Sequence, residues 1–192
     1  MSFSAVLLAG GRSKRMGQDK AWLPWKGRPL WEQQVELLKE VRPEGVVISC
    51  RAEQGFAECG WPLLLDPAGI SSPLEAVDFA LRELRQPILV LAVDLPHMRV
   101  EVLQFLVEAW RAKGRGVVFR IEKYEPLAAL YTPEVQADFA EAITEKNFRL
   151  QSVLQRSVEA GRLEALSVPL EWRPAFLNTN TPEAWKEAPQ PA

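Results

Sequence analysis

A short apolar run, Phe3 to Leu8, empties directly into Ala9-Gly10-Gly11-Arg12-Ser13-Lys14-Arg15-Met16-Gly17-Gln18-Asp19-Lys20. The run reads as a buried strand. A buried strand that ends in a glycine-rich, basic loop restricts fold and chemistry together. Glycines let a backbone approach an anion with no Cβ in the way. Successive N–H groups in such a loop can form a concavity that holds the anion. Arg12, Lys14, Arg15 and Lys20 add four cations within nine residues. The dinucleotide fingerprint G-x-G-x-x-G does not fit, because Gly10, Gly11 and Gly17 have other spacings. The P-loop G-x-x-x-x-G-K-[ST] does not fit either, because Gly17 is followed by Gln18 and Asp19. The plain alternative is a chain turn at Gly10-Gly11 beside a solvated charged surface.

Short apolar runs alternate with helix-period stretches along the rest of the chain, the pattern of an α/β fold. Strands are expected at Ser4–Ala9, Gly45–Ser49, Trp61–Leu65, Pro87–Val93, Gly116–Arg120 and Leu127–Tyr131, with a weaker signal at Glu164–Val168. Helices are expected at Pro29–Val41, Pro73–Leu84 and Arg99–Lys113. The first two open on proline at a first-turn position. Together these predict a Rossmann-like, three-layer domain over residues 1–192, with a mostly parallel sheet and helices on both faces. The segment from Tyr124 onward reads less regularly, and Lys186 to Ala192 reads as a frayed tail. Ligands of such sheets bind beyond the carboxyl ends of the strands, which is where the basic loop leaves the first strand.

At 192 residues the chain suits one domain with a substantial core. Its 23 basic and 25 acidic residues give a net charge of −2, whereas a general polyanion binder is usually basic overall. Positive charge concentrated in one loop favours a small anionic ligand over a nucleic acid. Neither a signal-peptide pattern nor a membrane-length apolar run is present, so a cytoplasmic protein without a membrane partner is expected. Cys50 and Cys59 match neither a C-x-x-C redox pair nor a zinc spacing. His97 is the single histidine. It could touch phosphate, and a hydrogen-bonded loop residue is the plainer reading.

Asp66 and Asp94 are each expected to terminate a buried strand, Pro-Leu-Leu-Leu-Asp66 and Leu-Val-Leu-Ala-Val-Asp94. A carboxylate there faces the ligand crevice, although one alone serves equally as a helix N-cap. Two at the same sheet edge as a phosphate loop point to a site.

The thirteen-residue string Leu8 to Lys20 resembles the signature L-A-G-G-x-S-x-R-M-G-x-D-K of the molybdenum cofactor guanylyltransferases, with every fixed position present. Asp94-Leu95-Pro96 resembles that family's D-x-P segment. Glu125-Pro126-Leu127-Ala128-Ala129-Leu130-Tyr131 looks like its P-L-x-A-L strand near the pterin side. Asn178-Thr179-Asn180-Thr181-Pro182-Glu183 looks like its N-x-N-T-P-E. The resemblance implies Mg²⁺-dependent transfer of GMP from GTP to the terminal phosphate of a molybdopterin-type cofactor, with pyrophosphate released. It also implies roles. Arg15 and Lys20 hold the triphosphate, and the backbone of Leu8, Ala9, Gly10 and Gly11 contacts the nucleotide. Asp94 binds Mg²⁺, Asp66 lies on the nucleotide side, and Asn180 faces phosphate or metal. N-T-P-E is also an ordinary helix start, so a structural role for Asn180 stays open. Transient contacts with cofactor-biosynthesis proteins or molybdoenzyme chaperones fit the same role.

Such chemistry suits these residues. A phosphate monoester is already an anionic nucleophile, so charge neutralisation and in-line positioning are what the reaction needs. Two departures stand out. The family's G-P-L-x-G is Ser72-Pro73-Leu74-Glu75-Ala76 here, which puts close backbone approach at that helix start in question. An asparagine often found after the second strand is replaced within Ser49-Cys50-Arg51. The competing readings are a molybdopterin cytidylyltransferase, a sugar-phosphate nucleotidyltransferase, and a non-catalytic nucleotide- or cofactor-binding module.

Overall fold

The computed structural model of the chain describes residues 1–10 and 19–178. The elements run β1 (Ser4–Leu8), β2 (Pro24–Trp25), β3 (Arg28–Pro29), α1 (Leu30–Glu40), β4 (Val46–Cys50), β5 (Leu63–Leu65) and α2 (Pro73–Leu84). They continue β6 (Ile88–Ala92), α3 (Val100–Lys113), β7 (Gly116–Arg120), β8 (Tyr124–Tyr131), α4 (Gln136–Thr144), α5 (Leu150–Glu159) and β9 (Leu163–Ser167). A seven-stranded sheet has the order β5-β4-β1-β6-β8-β7-β9. All its pairings are parallel except those of β8, which is antiparallel to both β6 and β7. From β1 the chain steps outward through β4 to β5 and then returns to place β6 on the other side of β1. That reversal opens a crevice at the strands' carboxyl ends.

Two apolar layers explain why the central strands read as unbroken hydrophobic runs. Ala5 and Leu7 of β1 and Leu89 and Leu91 of β6 pack on one face with Val35 and Leu38 of α1 and Leu103, Leu106 and Trp110 of α3. Val6, Ile88 and Val90 pack on the other with Leu74, Val77 and Leu81 of α2, Phe139 of α4 and Leu154 of α5. Helices therefore cover both faces, as the alternating pattern predicts.

Several local expectations need correction. Pro29 caps α1 from β3 and is not its first turn. The hairpin β2–β3 turns through Lys26 and Gly27, both at positive φ, which a two-residue connection demands. Two short 3₁₀ turns, Ala52–Gln54 and Phe56–Glu58, join β4 to β5 where a doubly wound sheet would carry a helix. The strand β5 is shorter than Trp61–Leu65 and is half-buried at the sheet's edge, with Leu65 exposed. Asp66 thus leaves an edge strand, not a buried one. In contrast, β8 begins at Tyr124, three residues before the expected start.

Helices α4 and α5 lie in the stretch that reads as irregular. Their buried faces carry polar residues, Asp138 and Ser157, which break the apolar period. Arg162 donates to both Asp138 carboxylate oxygens, one bond being 2.8 Å, and the Ser157 hydroxyl donates to the same group. Burial pushes the Asp138 carboxyl up, but those hydrogen bonds and the charges of Arg162 and Arg156 hold it below the ordinary aspartate value. Asp138→Asn is expected to cost about 1.5–3 kcal/mol at neutral pH, the scale of hydrogen bonds to a charged group. The folded-state value lies below the unfolded one. The stabilisation is therefore full above the unfolded value of about 3.9 and is lost as pH falls through the folded value. Urea titrations of both proteins should show a constant gap between neutral pH and the unfolded value, and a shrinking gap below it. A gap unchanged at the most acid pH would exclude Asp138 as its source.

Candidate active site

A cavity of about 380 Å³ lies at the carboxyl ends of β1, β4, β5 and β6. Leu8, Ala9 and Gly10 bring the end of β1 to it, and Asp19 and Lys20 bring the chain beyond residue 18. Ser49 and Arg51 arrive from the end of β4 and Asp66 from the end of β5. Ser71, Ser72, Pro73 and Ala76 form the start of α2, while Val93 and Asp94 follow β6. Leu127 of β8 closes one side.

The two aspartates have different surroundings. Asp94 sits in a turn fixed on three sides. Val93 N–H donates to the Leu8 carbonyl at 3.1 Å, and Leu95 N–H donates to Ala92 at 3.4 Å. The buried Gln34 amide donates to the Leu95 carbonyl at 2.8 Å. Asp94 Oδ2 lies 3.6 Å from Lys20 Nζ, and the two side chains are 27% and 15% exposed. This carboxylate is thus already placed to face a cation. Asp66 is held against the end of β4, since Ser49 Oγ donates to its Oδ1 at 2.7 Å. Burial raises its carboxyl above the ordinary value, opposed by the Ser49 bond and the Arg51 charge. Its Oδ2 lies only 2.3 Å from where a Cβ on Gly10 would stand. A side chain at position 10 would require that carboxylate to move.

Other strand-end backbone groups are engaged by the protein. Ala9 N–H donates to the Ser49 carbonyl at 2.8 Å, and the Ala9 carbonyl accepts from Gln54 Nε2 at 2.8 Å. At α2, Ser72 caps Glu75 N–H, and the backbone N–H groups of Ser71 and Ser72 both donate to Glu75 Oε2 at 2.9 Å. Burial pushes the Glu75 carboxyl up, and the Ser71 and Ser72 hydrogen bonds overcome it, leaving it below the ordinary value. The missing glycines do not keep this helix start away from the cavity. The N–H groups of Ser71 and Ser72 are instead taken by the Glu75 carboxylate, and that of Glu75 by the Ser72 hydroxyl.

Leu8, Ala9, Gly10, Lys20, Asp66 and Asp94 are thus brought together, whereas Gly11, Arg15 and Asn180 lie outside the described residues. His97 is not among the cavity's walls. Its ring meets the edge of Trp25 at 5.2 Å, and burial with the Lys26 charge lowers its pKa. Ser49, Arg51 and Gln54 were not singled out as site residues by sequence. The Ser-x-x-Glu pattern of a capping box at Ser72 was available as a signal; Gln54 carries no local signature. Cys50 is buried and Cys59 partly so, both as free thiols. No helix among the described residues is long and apolar enough to cross a membrane.

The family model for the MobA-like NTP transferase domain matches residues 5–161. A probable molybdenum cofactor guanylyltransferase of Opitutus terrae is 34% identical over 187 residues, covering 95% of this chain and 92% of the relative. The molybdenum cofactor guanylyltransferase of Xanthomonas euvesicatoria pv. vesicatoria is 33% identical over 190 residues, covering 95% and 92%. Among solved structures, the molybdopterin-guanine dinucleotide biosynthesis protein A of Archaeoglobus fulgidus superposes with a TM-score of 0.77 at 24% identity, covering 95% of each chain. This last likeness is one of fold.

Proposed function

The chain belongs to the MobA-like NTP transferases, and from that premise we propose that it transfers GMP from GTP to the terminal phosphate of a molybdopterin-type cofactor, releasing pyrophosphate. The observation that carries this reading is the meeting of Gly10, Lys20 and Asp94 at one cavity beyond the strand ends. An oxygen of the cofactor's phosphate forms a bond to the α-phosphorus of GTP, and the bond from that phosphorus to the bridging oxygen of the β-phosphate breaks. The nucleophile arrives already ionised, so no residue has to remove a proton. Lys20, with Arg15, holds the triphosphate and stabilises charge that moves towards the leaving pyrophosphate. Gly10 lets the nucleotide lie against the backbone. With the Leu8 carbonyl and both Ala9 groups engaged, backbone reading of the base falls first to Gly10. Asp66 borders that side, and Asn180 is assigned to phosphate or metal.

Mg²⁺ fits the donor set. Among the described residues no group of three or more His, Cys, Asp or Glu gathers that could hold a metal, and Mg²⁺ commonly takes one or two carboxylates with substrate phosphates supplying other ligands. Asp94, which faces the Lys20 ammonium, is the carboxylate suited to it. Bound there, the ion would neutralise phosphate charge. A cytoplasmic setting and transient contact with cofactor-biosynthesis proteins or molybdoenzyme chaperones belong to the same proposal.

Competition among the four nucleoside triphosphates for transfer to the metallated pterin tests the base. GTP is expected to be preferred over CTP and ATP by at least ~10²-fold in kcat/KM, the scale for polar base edges left unpaired by a mismatch. A preference for CTP would move the protein to the cytidylyl branch. Absence of pyrophosphate release with every nucleotide would leave a binding module.

A further inference from the structure

Gln54 is 7% exposed and lies in the 3₁₀ turn after β4. Its amide nitrogen donates twice, to the Ala9 carbonyl at 2.8 Å and to Asp19 Oδ2 at 2.6 Å. Its amide oxygen accepts from Arg51 N–H at 2.7 Å. Its own carbonyl accepts from Trp22 Nε1 at 2.9 Å, and Trp22 packs on Trp31 and Phe56 with centroids 5.7 and 5.1 Å away. Ala9 immediately precedes Gly10-Gly11, and Asp19 immediately precedes Lys20. One buried amide therefore ties the two ends of the basic segment to each other. The other Asp19 oxygen accepts from Ala21 N–H at 3.1 Å and caps the turn Lys20–Trp22. From that turn Lys20 extends to within 3.6 Å of Asp94.

We propose that Gln54 is a positioning residue for Lys20: it fixes Asp19, and through it the turn that aims the lysine at the triphosphate. The inference rests on the guanylyl-transfer reading above. The two ends need one side chain with two N–H donors, since both partners, a carbonyl and a carboxylate, can only accept. A glutamate has nearly the same shape but no donors when ionised, and it would set two carboxylates against each other. The chain from Asp19 to Lys20 would then shift, and a displacement near 1 Å can cost on the order of 10²-fold in rate.

The test is a double-mutant cycle on the full chain with GTP, Mg²⁺ and metallated pterin, with melting temperatures measured for every variant. Gln54→Glu is expected to lower kcat about 10- to 50-fold, within the range for a misplaced catalytic group, with a smaller change in the KM for GTP. In the Lys20→Ala background the same substitution should cost less than about threefold, because neighbours acting through one another are not additive. Asp19→Asn, which can accept only one of its two hydrogen bonds, should show the same dependence on Lys20 and serves as the readout if Gln54→Glu does not fold. Equal losses with and without Lys20, or unchanged kcat in Gln54→Glu, would overturn the proposal. An inactive wild-type protein would instead overturn the reaction assigned above, so the two failures are separable.

Discussion

Replacing Asp94 with alanine is expected to lower turnover by roughly 10³-fold or more while leaving the melting temperature close to that of the unchanged protein. If Asp94 is the Mg²⁺ carboxylate proposed above, its loss would remove several kcal/mol of transition-state charge stabilisation. The fold has little stake in this side chain. Its turn is held by backbone bonds from Val93 and Leu95 and by the Gln34 amide, none of which uses the carboxylate. The 3.6 Å contact with Lys20 is partly open to water, and pairs of that kind contribute little to stability. Single-turnover measurements across a Mg²⁺ series would locate the loss. Turnover near the unchanged level at ordinary Mg²⁺ would remove Asp94 from the reaction.

Gly10→Ala is expected to cut kcat/KM by about 10²–10³-fold, combining displacement of the nucleotide with loss of an ordered polar contact. The added methyl would stand 2.3 Å from Asp66 Oδ2 and 3.5 Å from its Cγ. Moving the Asp66 carboxylate aside would break its bond from Ser49 Oγ. The strand end or the carboxylate must shift, and either changes the wall of the cavity proposed to hold the nucleotide. Pairing the change with Asp66→Ala, which removes the colliding atoms, separates crowding from direct contact. Recovery of GTP binding in the double variant, measured by calorimetry, would assign the loss to crowding. Wild-type catalysis in Gly10→Ala alone would show that the wall yields.

The central sheet was legible because β1 and β6 are buried on both faces and therefore carry continuous apolar runs. Helix α2 could be placed to the residue, Pro73 to Leu84, because Pro73 and an apolar stripe point the same way. Helices α4 and α5 were hidden by Asp138 and Ser157, whose polarity on a buried face is offset by Arg162, 24 residues from Asp138. No local window contains that compensation. The same limit applies at the cavity. Asp66 and Asp94 announce themselves as charges at the ends of apolar runs, and Lys20 as part of the basic glycine loop. Gln54 does not, because its partners Ala9 and Asp19 lie 45 and 35 residues away.

Glu75 changes what the start of α2 offers to the cavity. The start of α2 would otherwise offer an incoming anion a row of unpaired donors. Here a carboxylate of the helix itself has already taken the Ser71 and Ser72 N–H groups. A phosphate would find those two donors already taken, whereas Lys20 and Arg51 bring positive charge to the cavity's lining.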